Sequence, residues 1–299
     1  MNDDKLVKIL GFNRVKINEP LAEHVYMRVG GPADFYYEAN SSKELEEAVK
    51  VVIRLSIPFV IIGVGANVLI SDKGFRGLVI KNAAKDIKFL PFGFVETGSG
   101  VENVDLINAA KNRGLSGMER MIKVPGTIGG AIFMNAGDTG RGEFFGDLVE
   151  TVAVVDQNGE AKKLRKEDCG FAYRASRFQT SGEIILKVKL QLKQSTKEEI
   201  ESKAQDILVR KMHQPPGPTL GSTFKNPPNQ KAGKLIEDVG LKGKQVGGAK
   251  FSDQHANFII NTGNAKAVDI KALIDLAKSE VKKKFGVDLQ EEVRYIGEW

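Results

Sequence analysis

Residues 57–72 read IPFVIIGVGANVLISD, an apolar run that enters a glycine turn and continues beyond it without a helix pattern. The segment PFVII has the length and the bounding residues of a short buried strand. GVGANV carries two glycines of a dinucleotide-binding fingerprint, but Val68 stands where the third belongs. NVLISD then continues as extended chain, so no helix N-terminus faces the turn and a Rossmann site is excluded. The run is the longest apolar stretch, and its glycines and Asn67 leave it too short to cross a bilayer.

Outward from this stretch, helices and strands alternate irregularly. SSKELEEAVKVVIRLS (41–56) sets Ser41 three residues before Glu44, a capping pattern, with Leu45, Val49, Val52 and Ile53 at helical spacing. VENVDLINAAKNRG (101–114) predicts a second helix stopped by Gly114. Asn158-Gly159, between residues 150–157 and 161–165, predicts a hairpin. In LKVKLQLK (186–193), Leu186, Val188, Leu190 and Leu192 alternate with polar residues, as in a half-buried strand. KQSTKEEIESKAQDILVRKMHQPPGP (193–218) opens with polar residues, repeats the capping pattern at Thr196 and Glu199, and predicts a helix that stops at Pro215-Pro216. A domain boundary is placed here, near residue 195. Beyond it, AGKLIEDVG and AVDIKALIDLAKSEVKKKFG predict helices, the second ended by Gly286, and ANFIIN a strand between them. The pattern is that of an α+β protein, without repeats or low-complexity tracts.

Composition narrows the function. A chain of 299 residues, 41% hydrophobic and 27% charged, can bury a sizeable core and is not disordered. Its single cysteine, Cys169, excludes an intrachain disulfide and a cysteine-based zinc site, and suits a reducing cytoplasm. No metal site is expected. The N-terminal MNDDKLVKIL carries two acids and lacks the apolar core of a signal peptide, so no membrane insertion is expected. A formal charge of +6 favours anionic partners, whether nucleic acid or phosphorylated small molecules. The densest basic run, KSEVKKKFG, sits at a predicted helix end, where lysines complement the dipole, and aromatics are only 7%. Phosphorylated small molecules are therefore preferred over nucleic acid. The sequence does not fix an oligomeric state, and a monomer is the expectation.

Glycines cluster in the first half, at Arg28–Pro32, Gly63–Asn67, Gly98–Gly100 and Pro125–Gly130. Without a Cβ, backbone N–H groups can approach a ligand together and form a concave anion site. Each cluster alone reads as a turn, and no Walker lysine follows any of them. Four in one predicted domain point to a dinucleotide. In LGSTFKNPP (220–228), a hydroxyl, an ammonium and a carboxamide at Ser222, Lys225 and Asn226 are bracketed by Gly221 and Pro227, as in a shaped loop.

These residues carry a resemblance. RVGGPAD, GVGANVLISDKGFRG, VPGTIGGAIFMNAG, FAYRASRF, GSTFKNP, AGKLIEDVGLKG, GGAKFSDQHANFIIN and EEVRYIG occur in this order between residues 28 and 297. Together they resemble the UDP-N-acetylenolpyruvoylglucosamine reductase (UDP-N-acetylmuramate dehydrogenase) family. The resemblance implies a two-lobed FAD-binding domain of the vanillyl-alcohol-oxidase (PCMH) type over residues 1–195, with lobes of about 1–84 and 85–195. A smaller α+β substrate-binding domain would follow over residues 196–299. It also implies NADPH-dependent reduction of UDP-N-acetylglucosamine enolpyruvate in peptidoglycan synthesis, with FAD carrying the electrons.

By this resemblance Gly63, Val64, Gly65, Ala66 and Asn67 would bind the FAD diphosphate, while Gly126, Thr127, Gly129, Gly130 and Asn135 would line the flavin. Gly98 and Gly100 would lie nearby in support. Arg174 matches the electrophilic arginine, Ser222 the proton donor, and Glu292 a protonated carboxyl that donates a hydrogen bond, with Glu291 its rival in register. Asn226 would contact the nucleotide sugar, with Lys225 beside its phosphates. His255 is expected to make a structural hydrogen bond, Tyr173 to pack, and Cys169 to be a small buried residue. The sequence departs from the family at Val25-Tyr26-Met27, at RMIKVPGTIGG and in the longer DTGRGEFFGD loop (138–147). The short interval from Arg174 to Ser222 implies the subclass without a tyrosine-bearing loop. Three rivals stand behind this reading: another flavin oxidoreductase on the same FAD domain, a non-catalytic flavin or nucleotide binder, and a basic nucleic-acid binder. GSTFKNP and HANFIIN speak against the first.

Overall fold

Helix caps written into the local sequence mark where regular structure begins. In the computed structural model, which describes residues 2–299, Ser41 accepts a hydrogen bond from the Glu44 N–H and opens the helix Ser42–Leu55. The Glu44 carboxylate reaches back one residue further than a capping box requires, to the Asn40 N–H. Thr196 opens Lys197–Arg210 in the same way, and Gly286, at φ 70°, closes Ala267–Phe285.

The chain divides into two compact units, each built from separated segments. The first comprises residues 1–16, 35–64 and 77–211. It contains an antiparallel five-stranded sheet in the order Ala161–Arg165, Val149–Val155, Ile184–Gln191, Phe94–Gly98, Ile87–Phe89. Leu186, Val188 and Leu190 turn inward along its middle strand, as their alternation predicts. The Asn158-Gly159 turn joins the two strands at one edge, with Gly159 at φ 83°. The strand Phe59–Ile62 from the opening stretch pairs in parallel with Leu78–Lys81. Leu45, Val49 and Val52 of Ser42–Leu55 pack with Leu78 and Ile80 in one core.

The second unit comprises residues 17–34, 65–76 and 212–299. Its antiparallel sheet runs Thr219–Ser222, Phe258–Asn261, Ala249–Phe251, Gln245–Val246, with Ala232–Asp238 and Ala267–Phe285 as its helices. The core joins Met27, Val29 and Leu69 to Phe224, Phe251 and the buried face of Ala267–Phe285. Val68–Ile70, the extended continuation of the glycine turn, pairs in parallel with Arg294–Ile296. The Asp72 carboxylate accepts from the N–H groups of Ala267 and Val268 at 2.9 and 3.0 Å, capping that helix from a distant part of the chain.

This division differs from a contiguous split at residue 195. Helix Lys197–Arg210 stays with the first unit, where Glu201 pairs with Lys111, Lys203 donates to the Ser116 hydroxyl, and Ile200 and Ile207 are buried. Residues 17–34 and 65–76 go to the second unit, because Met27, Val29 and Leu69 find their apolar partners there. Among the described residues no helix is long and apolar enough to cross a membrane.

Candidate functional site

The glycine clusters do different work. Gly31 and Gly100 serve packing: a Cβ would overlap the Asp72 carbonyl at the first and the Asn82 side chain at the second. Asn82 donates to the Ser99 hydroxyl, which donates on to the Ile185 carbonyl, a buried network that no motif announced. Gly63 lets its turn pass close to Thr127, whose Oγ1 would lie 2.5 Å from an added Cβ. Gly65, at φ 65°, lies against Val25 in the same manner.

Gly126 and Gly130 differ. The nearest protein atom to an added Cβ would be Asn103 Nδ2 at 3.4 Å for Gly126 and Thr127 Oγ1 at 3.6 Å for Gly130. Gly130 lies within the helical turn Ile128–Phe133, where glycine costs about 1 kcal/mol relative to alanine, and no protein neighbour requires it. The side-chain space at Gly130 is room beside exposed backbone, whereas Gly126, half-buried at φ 149°, needs glycine for its backbone as well. Thr127 caps this turn, and Gly129 sits tightly on Ser99.

Asn135 is buried at φ 42°, and its carboxamide is engaged by protein: Nδ2 donates to the Ala172 carbonyl and Oδ1 accepts from the Gly146 N–H. The Ala172 link leads to Arg174. Ala172 and Ala175 exchange backbone hydrogen bonds at 3.1 Å, leaving Tyr173 and Arg174 at the tip of a tight turn. Arg174 takes a left-handed φ of 51°, its Nη2 reaches the Gly137 carbonyl at 3.4 Å, and its carbonyl accepts from Gln179. Tyr173 packs edge-on against Phe144.

The 138–147 loop supports this turn. Asp138 is ion-paired with Arg210; burial works to raise its pKa, but the Arg210 hydrogen bond and charge hold it below the usual carboxylate range. Arg141 pairs with Asp206, and Arg120 with Asp147. Lys211, which sequence reading passed over as part of a helix end, donates to the Ile122 carbonyl. Burial, then repulsion from Arg174, Arg210 and Lys123, outweighs the pull of Asp138 and lowers its pKa to about 8. The surroundings of Arg174 are therefore cationic.

Ser222 ends the strand Thr219–Ser222 of the second unit. The register against Phe258–Asn261 runs Thr219 to Ile260 and then Ser222 to Phe258, so one extra residue bulges out, with Gly221 at φ 71°. A glycine bulge of this kind turns the following side chain. The chain is pinned immediately afterwards. Thr223 N–H donates to the Asn257 carbonyl at 2.8 Å, and the Thr223 carbonyl accepts from the Glu292 N–H at 2.9 Å. Lys225 N–H donates to the Gln290 carbonyl. Thr223, the residue after Ser222, is thus tied to Glu292 through the backbone. Asn67 completes the arrangement: its Nδ2 donates to the Glu292 carbonyl and its own carbonyl accepts from Arg294.

The two candidate acids are distinct. Glu291 is ion-paired with Lys278 at 2.6 Å, whereas Glu292 is the residue whose backbone is held between Thr223 and Asn67. Asn226 Oδ1 accepts from the Ala232 N–H at the start of Ala232–Asp238. His255 Nδ1 accepts from the Asn257 N–H, the expected structural bond, and stacks on His213. Cys169 is fully buried, and desolvation pushes its thiol up to about 11. Among the described residues no cluster of His, Cys, Asp or Glu could hold a metal ion.

Two family models match separate stretches of the chain. Residues 210–296 match the model of the UDP-N-acetylenolpyruvoylglucosamine reductase C-terminal domain, and residues 33–165 match an FAD binding domain. A UDP-N-acetylenolpyruvoylglucosamine reductase of Caldanaerobacter subterraneus subsp. tengcongensis is 40% identical over 297 residues, 99% of this chain and 98% of that one. The reductase of Carboxydothermus hydrogenoformans is 39% identical over 94% of this chain and 93% of its own. The crystal structure of the reductase from Thermus caldophilus superposes with a TM-score of 0.81 at 33% identity, covering 94% of this chain and 98% of that one.

Proposed function

Because the chain belongs to the UDP-N-acetylenolpyruvoylglucosamine reductase family, we propose that it reduces UDP-N-acetylglucosamine enolpyruvate to UDP-N-acetylmuramate in peptidoglycan synthesis, using FAD and NADPH. The residues present suit FAD: the Gly63–Ala66 turn carries no side chain larger than Val64, and Gly130 leaves open space that protein packing does not need. The diphosphate is assigned to residues 63–67 and the flavin to residues 125–131. When bound, FAD carries two electrons from NADPH to the enolpyruvyl double bond.

The rest of the chemistry falls to side chains of the chain. Reduction at the terminal carbon builds negative charge on the adjacent carbon and its carboxylate. Preorganised donors aimed at such charge are worth about 3 kcal/mol each. Arg174 is assigned to the carboxylate, where its planar fork fits and where Lys123, Arg210 and Lys211 add positive potential. Glu292 is assigned as the neutral carboxyl donor, since its backbone N–H is held by the carbonyl of Thr223, the residue after Ser222. Ser222 gives the proton: its O–H bond breaks as a C–H bond forms at the charged carbon, and the oxygen regains a proton from solvent. Lys225 stabilises the transient alkoxide, and Asn226 contacts the nucleotide sugar. Asn135 is assigned to holding the Arg174 turn through Ala172.

The observation that carries this reading is the Gly221 bulge, which presents Ser222 one residue before the carbonyl that holds Glu292. We assign the chain to the shorter subclass, because the turn Arg177–Gln179, the strands Ile184–Gln191 and Lys193–Gln194 and the helix Lys197–Arg210 fill most of the interval between Arg174 and Ser222. The reaction needs a compartment that holds NADPH and nucleotide sugars, which is the cytoplasm. The test is the visible spectrum of the purified protein: NADPH should bleach the flavin, and UDP-N-acetylglucosamine enolpyruvate should restore its colour. Protein that cannot be loaded with FAD, or that stays bleached, removes the reading.

A further inference from the structure

One buried carboxamide close to Ser222 has no part in the reaction as described. Asn257 is 3% exposed, and it faces Thr223 and Phe224, which are 0% and 1% exposed. Its Oδ1 accepts from the Phe224 N–H at 3.0 Å, and its Nδ2 donates to the Phe224 carbonyl at 2.8 Å. A carboxamide has the same donor and acceptor pair as a peptide group, so this side chain acts as one further rung of sheet. It does so where the sheet has run out, because the Ser222 to Phe258 pair is the last in register beyond the Gly221 bulge. The Asn257 carbonyl also accepts from the Thr223 N–H. On the far side, Thr223 and Lys225 are bonded to Glu292 and Gln290.

We propose that Asn257 is a positioning residue for proton delivery, fixing the chain after Ser222 so that the hydroxyl and Glu292 keep their relation, without itself touching substrate. The inference rests on the function proposed above. Its physical core is that the ladder ends at Ser222, just past the bulge, and a serine on the last rung of a strand needs a second anchor if its hydroxyl is to hold one direction. No other type of side chain of this length offers a donor and an acceptor to one residue's backbone in the neutral state across the ordinary pH range.

The test uses FAD-loaded protein and the two half-reactions separately. Asn257→Ala should be bleached by NADPH at close to the wild-type rate, while its recolouring by UDP-N-acetylglucosamine enolpyruvate slows by about 100-fold, the penalty of misplacing a reacting group by about 1 Å. Amide hydrogen exchange over residues 221–226 should accelerate in the same variant. Asn257→Asp keeps the shape and guards against a misfolded alanine variant. At neutral pH its carboxylate cannot donate to the Phe224 carbonyl, so it should be slow as well. As pH falls and the carboxyl gains a proton, its recolouring rate should rise relative to wild type measured at the same pH, His255, whose Nδ1 accepts from the residue 257 N–H, being present in both proteins. Folded variants with unchanged recolouring, or an equal loss in both half-reactions, overturn the inference alone. Wild-type protein that stays bleached removes the proposed function and this inference with it.

Discussion

Ser222 and the glycine before it carry the narrowest predictions. Ser222→Ala should leave NADPH-driven bleaching intact and nearly abolish recolouring by the enol ether, because only the second step consumes the hydroxyl proton; stopped-flow absorbance separates the two. Equal loss in both would make the hydroxyl a structural group. Gly221→Ala tests the bulge itself. An added Cβ meets nothing within 4 Å, so the cost comes from the left-handed φ of 71°, about 1–2 kcal/mol for an L residue. A denaturant titration should show that loss, and recolouring should fall because the backbone relaxes and turns Ser222 away. The residue types of this loop were legible in the sequence, since Gly221, Ser222 and Lys225 fall within five residues. Asn257 was not, because its importance lies in two hydrogen bonds to Phe224, 33 residues earlier in the chain. Glu291 and Glu292 could not be separated by pattern, and the ion pair of Glu291 with Lys278 depends on Ala267–Phe285 being in place.

At the level of elements, local signals read true and distant ones were silent. Ser41, Thr196 and Gly286 cap helices within a few residues of themselves, so their chemistry is written beside the helix they serve. Lys266 precedes Ala267–Phe285 with no side-chain oxygen to offer, and Asp72 supplies the cap instead. Asp72→Ala should therefore destabilise the second unit by about 1–2 kcal/mol, measured by denaturant unfolding. Flavin bleaching by NADPH should persist in the folded fraction. The α+β character, the central strand Ile184–Gln191 and the long C-terminal helix were all legible because their periodicity is internal. The allocation of residues 17–34 and 65–76 to the second unit was not, because Met27 and Leu69 sit in short segments too brief to show a period.

For the molecule as a whole, the cationic surroundings of Arg174 impose a cost that pH can reveal. Lys211 has its pKa lowered to about 8 from the ordinary lysine value of 10.5, so the unfolded chain binds its proton more readily than the folded one. The charged amine opposes folding fully below pH 8, and the penalty fades as pH rises from about 8 to 10.5. Lys211→Met should accordingly gain stability over wild type most at neutral pH, with the advantage shrinking through that window in paired urea titrations. Substrate affinity should fall in the same variant, since the carboxylate assigned to Arg174 loses a positive neighbour. The parallel pairing of Val68–Ile70 with Arg294–Ile296 bears on biosynthesis. The Asn67 bond to Glu292 spans 225 residues, and at about 5–20 residues per second the ribosome needs roughly 11–45 seconds to make that interval. Until then Met27 and Leu69 have no finished core to enter, and the nascent chain must stay soluble with those greasy segments unsheltered. A cell making this protein therefore has a stretch of translation during which trigger-type chaperones have something to hold, and codons slowing the ribosome before residue 294 would prolong it.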